Sequence, residues 1–278
     1  MRDTALPSGW PADRSLAVSV NVMLEGWTDD SAPGIGPMGN PLKPGYPDLQ
    51  ARSWAEYGPK TGMWRLLDLL ADRRVTATVY VSGIVAERHP DLMRRIASDG
   101  HAIGGHAYGQ NIVPVYQERE EEARDIARCV ALIDGATGAR PRGWISPRVT
   151  PSPHTAELLV RAGFTWHCDY ADRDLPYLHD TPAGRIVAIP FTMEVNDMPL
   201  YIRYGNAPDV FTGVLRRLLD GWAQPHNAPA CLDVTVHAHV FGRPFGAIEF
   251  GAALDLVRAQ PQAWLTSHAA LAALYAPR

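Results

Sequence analysis

A barrel of parallel strands, closed or nearly closed and wrapped by outer helices, is the fold this sequence predicts. Three observations predict it. Short β-branched runs alternate with amphipathic helical stripes along almost the whole chain, the signature of repeated strand–helix units. Nearly every strand run ends at an ionisable or amide residue. The length, 278 residues, suits one large α/β unit, and we expect a single barrel domain over 1–278.

The elements follow in order. LAVSVNV at 16–22 reads as an alternating or buried strand. GMWRLLDLL at 62–70 places Met63, Leu66, Leu67 and Leu70 at i, i+3, i+4 and i+7, one stripe of a helix. VTATVYVSG at 75–83 is β-branched and stops at Gly83, and HAIG at 101–104 is a further short strand. Residues 118–132 form a helix whose first turn carries Glu118, Glu120, Glu121 and Glu122, as the positive end of a helix favours. Ile126, Cys129, Val130 and Ile133 are its buried face, and Gly135 is read as its stop. PRGWIS at 141–146 is a strand, 155–162 a helix closed by Gly163, FTWHCDY at 164–170 a strand and RIVAIPF at 185–191 another. Phe211, Val214, Leu215 and Leu218 mark a helix; CLDVTVH at 231–237 is a strand, 248–259 a helix, and AWLTS at 263–267 the last strand.

Residues 26–58 break this rhythm. They are rich in Gly and Pro with almost no periodicity, and a loop of that length inside a domain is usually functional. We read it as a flap over a site or a contact with another subunit. The polar segment GWAQPHNAPA at 221–230, with Trp222, is read as an accessory to that closure or to subunit contact.

Composition removes several classes. Apolar residues make up 46% and charged residues 20%, ordinary for a globular protein. The net charge of −4 with scattered Lys and Arg argues against nucleic acid as a partner. No apolar run approaches the roughly 20 residues of a membrane span, and the first fifteen residues lack the apolar core of a secretion signal. Three widely spaced cysteines, Cys129, Cys168 and Cys231, fit a reduced, cytoplasmic protein better than a disulfide framework. A small-molecule ligand is the expected partner, and a homo-oligomer is compatible with the sequence.

In a parallel barrel, chemistry gathers where strands end. There stand Glu25 after the first strand, His106 after HAIGG, Trp144 and Arg148 in RGWISPR, Asp169 and Asp174 after FTWHC, Glu194, Asn196 and Asp197 after IPF, and His237 at the end of LDVTVH. One polar strand end is commonplace; a whole set on one rim points to a shared active site.

The stretches EYGPKTGMWRLLDLL (56–70), GHAIGGHAYGQ (100–110), RPRGWISPR (140–148), DYADRDLPY (169–177), IPFTMEVNDMP (189–199) and VHAHVFGRP (236–244) fall in one order along the chain. Together they resemble the NodB-homology polysaccharide deacetylase superfamily, and within it the allantoinase-like and cyclic-imide-hydrolase-like branch. The resemblance implies a distorted (β/α) barrel. It also implies departures. Where the superfamily has Asp-Asp this chain has Leu24 and Glu25, and where it has two histidines four apart this chain has His106 and Gln110. Glu25 and His106 are then the provisional metal ligands, with Gln110 as a neutral oxygen donor or a substrate contact. Such a set holds zinc weakly, and the branch resembled can work without a metal. The expected cofactor is therefore none, or one weakly bound divalent metal.

The expected chemistry is hydrolysis of a carbon–nitrogen bond other than a peptide bond, in a small, cyclic amide, imide or ureide. Glu25, His106 and His237 are the candidate catalytic residues, His237 as general acid and base because imidazole titrates near neutrality. His239, two residues on, is the alternate. Arg148 offers a bidentate fork to a carbonyl or carboxylate; Gln110, Asp169, Glu194, Asn196 and Asp197 are candidates to read polar substrate edges, and Trp27 and Trp144 to wall a planar ring. Two other readings compete: a metal-dependent N-deacetylase of an amino sugar or polysaccharide, and a non-catalytic binding protein on the same barrel.

Overall fold

The computed structural model describes residues 6–36, 42–43, 45–222 and 229–275. Along them run β1 (Leu16–Leu24), α1 (Leu49–Tyr57), α2 (Met63–Arg73), β2 (Thr78–Val81), α3 (Gly83–Arg88), α4 (Pro90–Ser98), β3 (Ala102–Gly105), α5 (Arg119–Thr137), β4 (Gly143–Trp144), α6 (Thr155–Arg161), β5 (Trp166–His167), β6 (Tyr177–Thr181), β7 (Gly184–Ala188), β8 (Val195–Asn196), α7 (Val210–Trp222), β9 (Ala230–His237), α8 (Pro244–Ala259), β10 (Ala263–Thr266) and α9 (His268–Tyr275). The strands form one sheet in the order β6–β7–β5–β4–β3–β2–β1–β9–β8, with β10 joined to β1.

β1 organises that sheet. β9 runs along one edge from Leu16 to Met23. The opposite edge is shared, Leu16–Ser19 pairing with β10 and Asn21–Leu24 with β2. Alternation then sorts its side chains. Leu16, Val18, Val20, Val22 and Leu24 pack toward the helices with Leu66, Leu67 and Leu70 of α2 and Phe250 of α8. Ala17 and Met23 point into the concave side with Tyr80 and Trp166. Burial on both faces is why the run reads as almost unbroken apolar sequence.

The expected distorted barrel of mostly parallel strands is present as a curled half-barrel with β6 and β8 at its ends. Three details are corrected. β6 pairs antiparallel with β7; the short hairpin connection leaves no room for the crossover a parallel pair needs. The stretch 26–58 is not all loop: α1 occupies its end, burying Ala51, Trp54 and Ala55 at helical spacing behind an Asp48 cap. Residues 37–41 and 44 of that stretch, and 223–228 of the polar segment before β9, lie outside the described residues. The long helix passes through Gly135 and stops at Gly138, whose left-handed φ of 69° turns the chain out of the helix.

The concave side is filled by large rings laid over glycines. Tyr80, Gly104, Gly143 and Trp166 are neighbours across four adjacent strands. A Cβ on Gly143 would lie 2.0 Å from the Trp166 ring, and one on Gly104 2.4 Å from the Tyr80 ring. Deeper in the same space Asp233 of β9 accepts hydrogen bonds from Ser19 (2.7 Å), Asn21 (2.8 Å), His268 (2.7 Å) and the Thr192 amide (2.9 Å). Every donor of this carboxylate comes from another segment, so it ties β1, the loop after β7 and the start of α9 together. Although burial opposes charge on both groups, their pairing keeps Asp233 below the ordinary carboxylate range, and Cys168 together with Asp233 lifts His268 to about 10.

Gly143→Ala is expected to lower stability by about 1–3 kcal/mol in denaturant unfolding, the usual cost of overpacking. Asp233→Ala is expected to cost about 3–5 kcal/mol, because it strands a buried cation. His268, raised above its unfolded value, adds stability that is complete below about pH 6.5 and lost as pH climbs toward 10. A wild-type stability profile flat from pH 6.5 to 10 contradicts that pairing.

Candidate active site

Three strand ends meet at Glu25, the residue immediately after β1. The loop after β3 brings His106, whose amide donates to the Val81 carbonyl (3.0 Å). Ala107 follows with φ of 57°, a left-handed conformation uncommon for a residue with a Cβ. It is held there because the Ala107 and Tyr108 carbonyls accept from Gly83 and Ile84 (2.8 Å each), while the Gln110 amide donates to the Gly26 carbonyl (2.8 Å). The turn is thus latched to both neighbouring strand ends. β9 brings His237, and the Ala238 amide donates to Met23 (3.0 Å).

Glu25 Oε1 lies 3.5 Å from His106 Nε2 and 3.8 Å from His237 Nε2. Its Oε2 lies 3.8 Å from His239 Nε2. The outer nitrogens of the first two rings are fixed: His106 Nδ1 bonds the Ile145 carbonyl (2.6 Å) and His237 Nδ1 bonds Asp197 Oδ1 (2.6 Å). Facing a carbonyl, His106 Nδ1 must carry the proton. Asp197 is fully buried, and its Oδ2 accepts from the His237 and Phe241 amides (2.8 and 3.2 Å).

Electrostatics follow from this packing. Burial alone raises the Glu25 pKa, but the three imidazoles outweigh it and hold the carboxyl at about 2. Burial opposes charge on His237 too, yet Asp197 and Glu25 on either side raise its pKa above the ordinary value. His239 has no such pair of carboxylates; burial dominates and pushes it down to about 3. The packing therefore favours a carboxylate at Glu25, the charged form at His237 and a neutral imidazole at His239 within one contact shell.

A cavity of about 250 Å³ opens onto Glu25, lined by Trp27, Thr28, Arg52, Ala55, Ile84 and Arg88 among others. Trp27 thus lies at the site. Several expected residues do not. Trp144 is fully buried against Phe164 and gives its N–H to Ser146 (3.1 Å), so it walls no cavity. Asp169 is spent on the Ser146 amide and hydroxyl (2.6 and 2.9 Å). Arg148 and Glu194 are exposed and line no part of this cavity. Asp174 is exposed and its carbonyl accepts from Cys231. Asn196 caps the turn at Met198 (3.0 Å). Asp197 is bound to His237, and His106, Gln110 and His237 stand behind Glu25 rather than on the cavity lining. Sequence reading missed Trp54, 4.5 Å from the His239 ring, because it sits in the stretch that looked aperiodic.

The metal implied by the resemblance is not matched by the donors present. Leu24 is buried apolar packing. The Gln110 side chain donates to Ser82 Oγ (3.0 Å) and the His106 carbonyl (3.1 Å), which answers why an amide stands at that position: it braces the His106 turn. Among the described residues no group of three His, Cys, Asp or Glu is disposed to hold a metal ion. Glu25 and His106 alone are too few for a zinc site. Among the described residues, no helix is long and apolar enough to cross a membrane.

The comparisons with known proteins agree with this architecture. The family model for polysaccharide deacetylases matches residues 55–167. A putative polysaccharide deacetylase of Schizosaccharomyces pombe is 26% identical over 271 residues, covering 84% of this chain and 82% of that one. The crystal structure of a probable polysaccharide deacetylase from Pseudomonas aeruginosa PAO1 superposes with a TM-score of 0.87 at 27% identity, over 97% of this chain and 94% of that one. Puue allantoinase superposes with a TM-score of 0.88 at 27% identity, over 97% and 93%. In its curled half-barrel with outer helices, and in the stretch 55–167, the chain is similar to polysaccharide deacetylases and to an allantoinase, hydrolases of carbon–nitrogen bonds other than peptide bonds.

Proposed function

We propose that this protein hydrolyses the carbon–nitrogen bond of a small cyclic amide, imide or ureide without a resident metal. The observation that carries the reading is the chain Asp197–His237–Glu25, whose last member lines a small cavity together with Trp27. A volume of about 250 Å³ suits a compact ring better than a glycan strand. The similarity to an allantoinase supports a cyclic ureide; the equal similarity to a probable polysaccharide deacetylase keeps an N-acetyl amino sugar as the second reading. Three free, buried cysteines favour a reducing, cytoplasmic setting.

The residues divide the work. Glu25, ionised, orients a water and takes its proton as the water oxygen bonds the substrate carbonyl carbon. His237, protonated and steadied by Asp197, gives its Nε2 proton to the departing nitrogen as the carbon–nitrogen bond breaks. The proton left on Glu25 then passes to His237, restoring both groups. His106 holds the Glu25 carboxylate from the other side. Trp27 supplies a flat apolar wall for the ring.

Glu25→Gln and His237→Ala are each expected to lower kcat/KM by about a hundredfold or more on the best substrate among hydantoin, allantoin, succinimide and chitooligosaccharides. Wild-type rates in both variants refute the assignment; acetate release from the chitooligosaccharides alone selects the second reading. The acid role of His237 also fixes a pH dependence. Its pKa is raised, so the working imidazolium persists past pH 6.5 and kcat falls only as pH rises further. Asp197→Asn removes the main support for that charge and is expected to move the falling limb to lower pH; an unmoved limb excludes His237 as the acid.

A further inference from the structure

Hydrolysis of an amide needs a donor for the oxygen that becomes negative at the tetrahedral stage. His106 and His237 have each committed Nδ1 to a fixed partner, and Arg148 is exposed away from the cavity. His239 is different. It is 1% exposed, and among the described residues neither of its ring nitrogens has a hydrogen-bond partner. Buried nitrogens left unpaired are rare and call for a reason.

The ring is held firmly in that state. Trp54 and Trp27 meet it edge to face at 4.5 and 5.6 Å, and Trp27 is also a wall of the cavity. Behind it, Arg243 donates to the His239 carbonyl (3.2 Å) while its guanidinium lies 4.0 Å from the centre of the Tyr57 ring. The turn at 58–62 presses against the same backbone: a Cβ on Gly62 would lie 1.9 Å from the Ala238 carbonyl oxygen, and one on Gly58 3.2 Å from the His239 backbone nitrogen. Nε2 lies 3.8 Å from Glu25 Oε2, whereas His106 and His237 stand against the other carboxylate oxygen, Oε1. That separation is too long for a direct bond and short enough for both atoms to touch one reacting group.

We propose that His239 is the oxyanion donor of this site. Its Nε2–H hydrogen-bonds the substrate's carbonyl oxygen while Glu25 delivers water to the adjoining carbon. As the new carbon–oxygen bond forms, the carbonyl π electrons move onto that oxygen and the bond to His239 strengthens; when the carbon–nitrogen bond breaks they return. His239 keeps its proton throughout. The inference rests on the amide-hydrolase reading above and adds to it the group that stabilises the charge.

His239→Phe keeps a ring between the two tryptophans and removes both nitrogens. His239→Gln keeps an N–H. On the best substrate of the panel, His239→Phe is expected to lower kcat about a hundredfold or more with KM changed less than about threefold, since the bond matters most in the transition state. Its Tm is expected to hold or rise, because two unpaired buried nitrogens are gone. His239→Gln is expected to recover at least about tenfold of the lost kcat. A His239→Phe enzyme with kcat within about twofold of wild type overturns the proposal and leaves the amide-hydrolase reading standing. A drop in Tm with Gln no better than Phe assigns the ring a packing role and also overturns it. No turnover of any panel member by the wild-type chain overturns both.

Discussion

An ionised carboxylate buried among three imidazoles is the constraint on which the site depends. Glu25 is only 9% exposed, and burial by itself opposes its charge. The charge is kept because His237 carries the compensating proton, and His237 carries it because Asp197 stands on its far side. Without Asp197 the His237 charge loses a main support, and without that charge Glu25 loses one of its own. The site is therefore one coupled unit rather than a collection of independent side chains.

That unit needs backbone rigidity that its own contacts do not supply. Glu25 follows the central strand, which is paired on both edges along almost its whole length. His106 is aimed by a left-handed alanine and a glutamine brace, and His237 by two amide bonds to Asp197. The glycines of 58–62 and Gly242 let α1 and its following turn approach the Ala238 backbone closer than any side chain would permit. Close approach here serves placement: it sets Trp54 of α1 against His239.

A second polar network lies deeper in the concave space and serves a different end. Asp233 accepts from Ser19, Asn21 and His268, and none of the four lines the cavity, with Tyr80 and Cys168 completing the chain of contacts from His268. Both networks pair Asp with His, yet only the one at the strand ends opens onto Glu25. The chemistry of the residue types does not separate them. Depth along β9 does, since Asp233 sits in the middle of the strand and His237 at its end.

Sequence by itself determined the strand–helix alternation, the two-sided burial of β1 and the set of polar strand ends, because these follow from local periodicity and side-chain type. The convergence of Glu25, His106 and His237 was legible for that reason: three parallel strands that end on one rim deliver their next residues to one place. The antiparallel β6 and the open edges of the sheet were not, because pairing direction depends on partners distant in the chain. Nor was the fate of Trp144, Asp169 and Gln110. Each sits in the right stretch, but a rotation of one residue about a strand, or a nearby hydroxyl or carbonyl, commits its side chain elsewhere. Tertiary structure alone decided that Asp197 serves His237 and that His239 is left with unpaired nitrogens, since whether a polar atom finds a partner is a property of the packed neighbourhood and not of the residue.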